Sequence, residues 1–207
     1  MSKWSIAVPV GKTSLSQFWA GFINFIANGK TNLNIAINIS NRVDLNRSQA
    51  IQGALKSKSH LIMVDSDVIP LISKDKVIEI AEEHFKNGYG MVIAPVIQST
   101  GQLVVNPLPK SKSDIYWDIV SGSFSLVAIS YEAMHKLKYI DIYDTHGNEP
   151  AKMYTIYTAK QSEDIYLCNK LIENGDKIVC DSRIKVAHLQ TVPLDWKQWG
   201  LYNNLKD

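Results

Sequence analysis

Apolar positions along the chain follow two rhythms, and they alternate. Ser5 to Val10 is a short apolar run that meets Pro9 and Gly11, the pattern of a buried strand running into a loop. From Ser14 to Ala27, the residues Leu15, Phe18, Trp19, Phe22, Ile23 and Ile26 recur at helical spacing. Leu33 to Ile39 alternates Leu and Ile with Asn and Ala, which predicts a strand. Asn46 to Lys56 gathers Ala50, Ile51, Ala54 and Leu55 on one helical face, with Asp44 or Asn46 as the expected cap. His60 to Val64 is an apolar strand that runs directly into Asp65-Ser66-Asp67. Lys74 to Asn87 predicts a helix closed by Gly88, and Met91 to Val96 a further buried strand.

The order to this point is β-α-β-α-β-α-β, the mark of an α/β fold with a mixed, mostly parallel central sheet and helices on both faces. Ligands in such sheets bind beyond the carboxyl ends of the strands. Asp65 and Asp67 stand at one of those ends. The second half is less regular. Gly101 to Asp114 reads as a loop or short hairpin, Phe124 to Ile129 as a strand, and Tyr131 to Lys138 as a short helix. Asp141 to Ala159 mixes Tyr, His, Gly and Pro and reads as a flap. Ser162 to Glu173 predicts a helix, with strands at Lys177 to Cys180 and Arg183 to Leu189. The expected organisation is one domain over 1–207, in two halves over 1–98 and 99–207.

Composition narrows the choice. A chain of 207 residues, 45% hydrophobic, has length for a core of ordinary size. A net charge of +2 leaves no strongly basic face, which argues against nucleic acid as a partner. No apolar run is long enough to cross a bilayer, and the N-terminus lacks the pattern of a signal peptide. Cys168 and Cys180 have neither metal spacing nor the look of a disulfide scaffold, so a reducing, cytoplasmic setting is expected. The tail around Leu194, Trp196, Trp199 and Tyr202 is expected to pack on the same domain, with a membrane or second-subunit contact as the alternative.

Four places carry candidate chemistry. Two carboxylates at i and i+2 just past a buried strand, Asp65 and Asp67, can converge on one divalent cation. Such a cation neutralises the charge that develops on a diphosphate leaving group. Ser162-Glu163-Asp164 opens a helix, where acidic residues also favour the helix dipole. His188 ends a strand and suits Mn²⁺ beside carboxylates, although a lone His is more often an ordinary hydrogen-bonded side chain. Arg47 opens the helix before the acidic strand, where an Arg can meet a base or a phosphate or simply lie in solvent. Cys168 shares the apolar face of its helix and reads as core.

In their order along the chain, several segments resemble the GT-A nucleotide-sugar glycosyltransferases, above all the family 2 group. They are Ile6-Ala-Val-Pro-Val10, Asn41-Arg42 through Arg47-Ser48-Gln49-Ala50, Leu61 to Asp67, Ser121-Gly-Ser-Phe-Ser-Leu126, Ser162-Glu-Asp-Ile165 and Val186-Ala-His188. The resemblance implies a single GT-A-type domain, with 1–98 as nucleotide-binding half and 99–207 as acceptor-side half carrying the metal-ligand strand, Mn²⁺ or Mg²⁺ as cofactor, and a UDP- or GDP-sugar donor. The acceptor hydroxyl would belong to a glycan, lipid or protein. Pro9 and Val10 would line the base pocket, and Arg47 would contact the nucleotide. Asp65 and Ser66 would meet ribose or sugar, with Asp65 also near the metal. Asp67 and His188 would bind the metal. Trp117, Gly122, Ser123 and Glu163 would border donor sugar and acceptor. Asp164 would be the general base, and transfer would invert the anomeric centre.

The chain departs from that pattern at Gly11-Lys12, where the family often has Asn or an acid, and at Arg47-Ser48, where it often has Arg-Asn. Two other readings start from the same residues. In a haloacid-dehalogenase-like phosphohydrolase, Asp65 would be the nucleophile, although that motif normally lies on the first strand. In a non-catalytic nucleotide-sugar or partner-binding module, the fold would persist without turnover.

Overall fold

The computed structural model describes residues 3–10, 16–40, 42–96, 104–107, 115–142 and 150–189. The expected alternation is present. Strand β1 (Trp4–Val10) leads through α1 (Ser16–Ala27) to β2 (Leu33–Ile39), then α2 (Val43–Ser57) to β3 (His60–Val64). After a short β4 (Val68–Pro70), helix α3 (Lys74–Lys86) leads to β5 (Tyr89–Ile93). Beyond it come β6 (Val105–Pro107), β7 (Tyr116–Gly122), β8 (Leu126–Ile129), α4 (Tyr131–Lys136), β9 (Ile140–Ile142) and β10 (Ala151–Met153). Helix α5 (Glu163–Glu173), β11 (Lys177–Asp181) and β12 (Val186–His188) complete the described order.

Eight strands form one sheet in the order β2-β1-β3-β8-β5-β11-β7-β6. Strands β2, β1, β3, β5 and β11 run the same way, while β8 and β7 run against them. One face is covered by Phe18, Phe22 and Phe25 of α1 and by Val77, Ile80 and Ala81 of α3. The other is covered by Ile51 and Ala54 of α2, Met134 of α4, and Leu167 and Leu171 of α5. Each fully buried aliphatic or aromatic side chain contributes about 1.5–3 kcal/mol, so these two layers hold the sheet's carboxyl edge in place.

Where the outcome departs from expectation, buried polar groups or very short pairings are responsible. Helix α2 starts at Val43, ahead of the expected Asn46, because Asp44, Asn46, Arg47 and Ser48 are buried and already helical. Asp44 is not its cap; it accepts from Arg42, at 3.1 and 2.8 Å. The pairing of β5 begins at Tyr89 rather than Met91 and ends at Ile93, before Pro95. Strands β4 and β7 were not anticipated. Within the expected flap, β9 and β10 pair antiparallel, and residues 143–149 lie outside the described set. The tail beyond Leu189, with Trp196 and Trp199, also lies outside it.

Two close approaches fix the periphery. Gly21 of α1 sits against Ile69 of β4, where a Cβ would come within 2.5 Å of Ile69 Cγ2. Isoleucine is stiff at χ1, so only glycine allows this contact. At the end of β11, fully buried Asp181 accepts from His84 Nε2 at 2.7 Å and from Arg183 Nη2 at 2.7 Å. Burial alone would raise its carboxyl, but the His84 and Arg183 hydrogen bonds win and bring it down to about 2. A carboxylate held below its unfolded pKa stabilises the fold above about pH 4 and loses that contribution as pH falls toward 2. Asp181→Asn should therefore cost on the order of 2 kcal/mol at neutral pH. It should also flatten the acid limb of the stability curve, read by urea unfolding at several pH values.

Candidate active site

Close to its start, α2 presents three consecutive buried polar side chains, each tied to a different segment. Asn46 Nδ2 donates to Val10 O at 3.0 Å and Ser40 O at 3.1 Å, joining the carboxyl ends of β1 and β2. Ser48 Oγ accepts from Tyr154 N at 3.0 Å and Thr155 N at 3.3 Å, anchoring the stretch after β10. Arg47 lies between them and is 4% exposed. Its Nη2 donates to both oxygens of Asp65, at 3.0 and 2.9 Å, and its Nη1 to Glu163 Oε1 at 2.6 Å. The Phe124 ring lies 5.1 Å from the guanidinium carbon. Burial opposes its charge, but Asp65 and Glu163 raise its pKa overall.

Asp65 follows the last residue of β3, and its backbone N–H donates to Ser125 O at 2.9 Å. The reversed direction of β8 makes this possible. A strand running against its neighbours begins at their carboxyl edge, so Phe124 and Ser125 arrive beside the acidic turn. Burial pushes the Asp65 carboxyl up to about 6, with Arg47 opposing the rise and Asp67 and Glu163 adding to it. Val68 N donates to Asp65 O at 3.1 Å, closing a tight turn through Ser66 and exposed Asp67.

That turn feeds β4, which pairs antiparallel with β12 and sets His188 opposite Val68. His188 Nε2 then lies 3.1 Å from Asp67 Oδ2, although 121 residues separate the two. Two ligands at right angles on a small divalent ion, each at about 2.1 Å, stand about 3 Å apart, so the pair fits adjacent positions on one cation. Among the described residues no group of three or more His, Cys, Asp or Glu could hold a metal. Two protein ligands suit an ion that keeps waters and substrate phosphates in its other positions.

Asp164 stands in the first turn of α5, one residue from Glu163. Its Oδ1 accepts from Ile165 N at 2.8 Å and from Ser162 Oγ. Thr155 Oγ1 donates to the backbone oxygen of Glu163, so the Ser48–Thr155 link reaches the start of α5. Pro9 and Val10 are buried at the end of β1. Trp117 on β7 is half-buried against the core, beside the register partner Cys180. Gly122 ends β7, close to Val105, and Ser123 N donates to Val104 O at 3.1 Å.

The sequence-derived residues thus fall into a cluster of Arg47, Asp65 and Glu163, a pair of Asp67 and His188, and a more distant set. Arg47, expected at the nucleotide, is bonded to two carboxylates, Asp65 and Glu163. Asp65, expected also near the metal, gives both oxygens to Arg47. Asn46, Ser48, Thr155 and Phe124 were missed. A run of polar residues at a helix start carries no sign of burial, and only the adjacency of Ser48 to Arg47 pointed to it.

No protein-family model and no curated protein matches the chain. Solved structures do. A197 from STIV aligns with a TM-score of 0.59 at 16% identity, over 94% of this chain and 97% of that one. GalNAc-T7, solved with UDP, GalNAc and Mn²⁺, aligns with a TM-score of 0.60 at 12% identity, over 93% of this chain and 44% of that one. UDP-glucose pyrophosphorylase, solved with UDP-glucose, aligns with a TM-score of 0.51 at 7% identity, over 90% and 92%. This chain spans less than half the length of GalNAc-T7. The likeness establishes a GT-A-type α/β fold, shared by structures that hold UDP or a UDP-sugar.

The enclosed guanidinium makes a direct prediction. Arg47→Ala leaves Asp65 and Glu163 facing each other without a cation, and breaking such a buried network costs about 3–5 kcal/mol. Arg47→Lys, which keeps charge but loses the fork, should fall between Ala and wild type in chemical unfolding.

Proposed function

We propose that the protein transfers a sugar from a UDP- or GDP-sugar to an acceptor hydroxyl, with a divalent cation and inversion at the anomeric carbon. The reading rests above all on Asp67 and His188 meeting at 3.1 Å although 121 residues separate them in the chain. A folding core has no need to bring an exposed carboxylate and an imidazole together on a three-residue ladder. The two side chains stand at hydrogen-bond distance as they are, and a shared cation would use that approach.

When bound, Mn²⁺ or Mg²⁺ would supply charge neutralisation to the departing diphosphate. Asp67 and His188 would hold it. Asp65, fixed by Arg47, would face the ribose or donor sugar with Ser66, and Pro9 and Val10 would border the base. Asp164 would take the acceptor's proton as its oxygen bonds to the anomeric carbon and the bond to the diphosphate breaks. Glu163 would keep the start of α5 in register with Asp65 through their common Arg47. Trp117, Gly122 and Ser123 would border donor sugar and acceptor.

The charge balance gives an order of events. Asp65 and Glu163 share the Arg47 guanidinium, and Asp67 and Asp164 add two carboxylates beyond it, so the site repels a diphosphate until a cation joins it. The phosphohydrolase reading loses ground here, because a nucleophilic Asp65 would need an oxygen free of Arg47.

Calorimetry of UDP and GDP binding, with Mn²⁺ and with chelator, tests the cation. Affinity should fall at least about tenfold on chelation or in His188→Ala. Equal binding with and without metal would count against the assignment. Asp164→Asn should bind donor normally yet turn over about 100-fold or more slower, as expected for loss of a general base. Release of sugar 1-phosphate instead of nucleoside diphosphate would point to nucleotidyl transfer, in which the P–O–P bond breaks and the anomeric C–O bond stays intact.

A further inference from the structure

Strand β2 ends the sheet, and among the described residues no strand pairs with its outer edge. Ser40 N donates inward to Val10 O. By alternation, Asn34, Ala36 and Asn38 direct their backbone groups toward β1, while Leu33, Ile35, Ile37 and Ile39 direct theirs outward. The side chains are exposed as well: Ile35, Ile37 and Ile39 are 51%, 49% and 74% accessible. They register with Ile6, Val8 and Val10, so they share the sheet face that α1 covers. On α1, Gly21 turns toward β4, so Trp19, Ile23 and Ile26 lie on the flank that faces β2. Ile23 is 64% exposed.

Natural proteins guard such edges with Lys, Pro, bulges or covering loops. The segment Leu-Asn-Ile-Ala-Ile-Asn-Ile has no charge and no proline. It is also its own mirror in order. Residues 34–38 read Asn-Ile-Ala-Ile-Asn in both directions, and Leu33 balances Ile39. A strand with that symmetry is complementary to one partner above all others, an antiparallel copy of itself.

We propose that β2 is the interface of a homodimer, with the two-fold axis passing through Ala36. Ile35 then lies opposite Ile37 of the second copy as a hydrogen-bonded pair, and Leu33 opposite Ile39 in the same way. Ala36 meets Ala36 of the second copy as a non-hydrogen-bonded pair, where Cα atoms come within about 4.5 Å. The two sheets join into one. Seven residues reach about 24 Å. With the α1 flanks added, the buried area is on the order of 1,000 Å², the lower bound for a specific interface. The expected dissociation constant is therefore micromolar, about 1–100 µM. Because the strands pair antiparallel, the two carboxyl edges, with their candidate sites, face opposite directions.

Sedimentation velocity of the full chain from about 1 to 300 µM tests the interface across the range where a micromolar dimer forms. Wild type should pass from monomer to dimer. Ile37→Lys should weaken association about tenfold or more by setting a charge in the apolar strand pair. The double variant I35E/I37K should restore it, since each introduced carboxylate then faces an introduced ammonium across the axis. A wild type that stays monomeric throughout would overturn the proposal, as would an I37K variant that dimerises like wild type or a double variant no better than I37K. A separate readout guards against misfolding of the charged variants. A36C should cross-link into a covalent dimer under mild oxidation, because the chain's own Cys168 and Cys180 are buried. Failure of A36C to cross-link above the dissociation constant would also overturn the proposal.

Discussion

A single guanidinium, buried between the N-terminal part of α2 and the sheet's carboxyl edge, is the constraint from which the site is assembled. Arg47 takes Asp65 on one nitrogen and Glu163 on another, so the acidic turn after β3 and the start of α5 cannot move independently. Taking an ion of either sign out of water costs several kcal/mol, which is recovered only where geometry is good and the partners are charged. The neighbours of Arg47 extend the same logic. Asn46 closes the ends of β1 and β2, and Ser48 carries the stretch after β10, which reaches Glu163 through Thr155. Three consecutive residues thus tie together five segments: the ends of β1 and β2, the turn after β3, the stretch after β10 and the start of α5.

The direction of β8 matters as much as its burial. An all-parallel sheet would bring only strand ends to this edge. Reversing one strand between β3 and β5 brings a strand beginning there too, and with it the Phe124 ring against Arg47. The fold and the electrostatics are therefore one arrangement: the odd strand supplies the apolar wall that keeps water from the ion network on its inner side.

Much of this was legible in the residue pattern. Buried strands such as His60–Val64 are unbroken apolar runs, and helices such as Lys74–Lys86 carry apolar stripes with a serine cap, so period and punctuation agreed. The D-x-D turn, the Glu163-Asp164 pair and His188 could be singled out because each lies at the end of such an element. What stayed hidden depended on long-range partners. Strand β7 mixes Tyr, Trp, Asp and Ser because it is only partly buried, and so lacks either period. Strand β4 has three residues and a proline, and exists through its pairing with β12. Asn46, Arg47 and Ser48 look like a solvated helix start until β1, β3 and α5 close over them. No local rule predicts that enclosure.

The small β4–β12 ladder has a consequence of its own. It hangs outside the eight-stranded sheet, three residues on each side, extended by single bonds from Leu71 N to Lys185 O and from Leu189 N to Asp67 O. So short a fringe can open at a fraction of the free energy of global unfolding. A cation bridging Asp67 and His188, as proposed, would hold that fringe closed and make local order and occupancy one linked equilibrium. That short ladder would then double as a latch whose amides, slow to exchange when filled and fast when empty, report the state of the site.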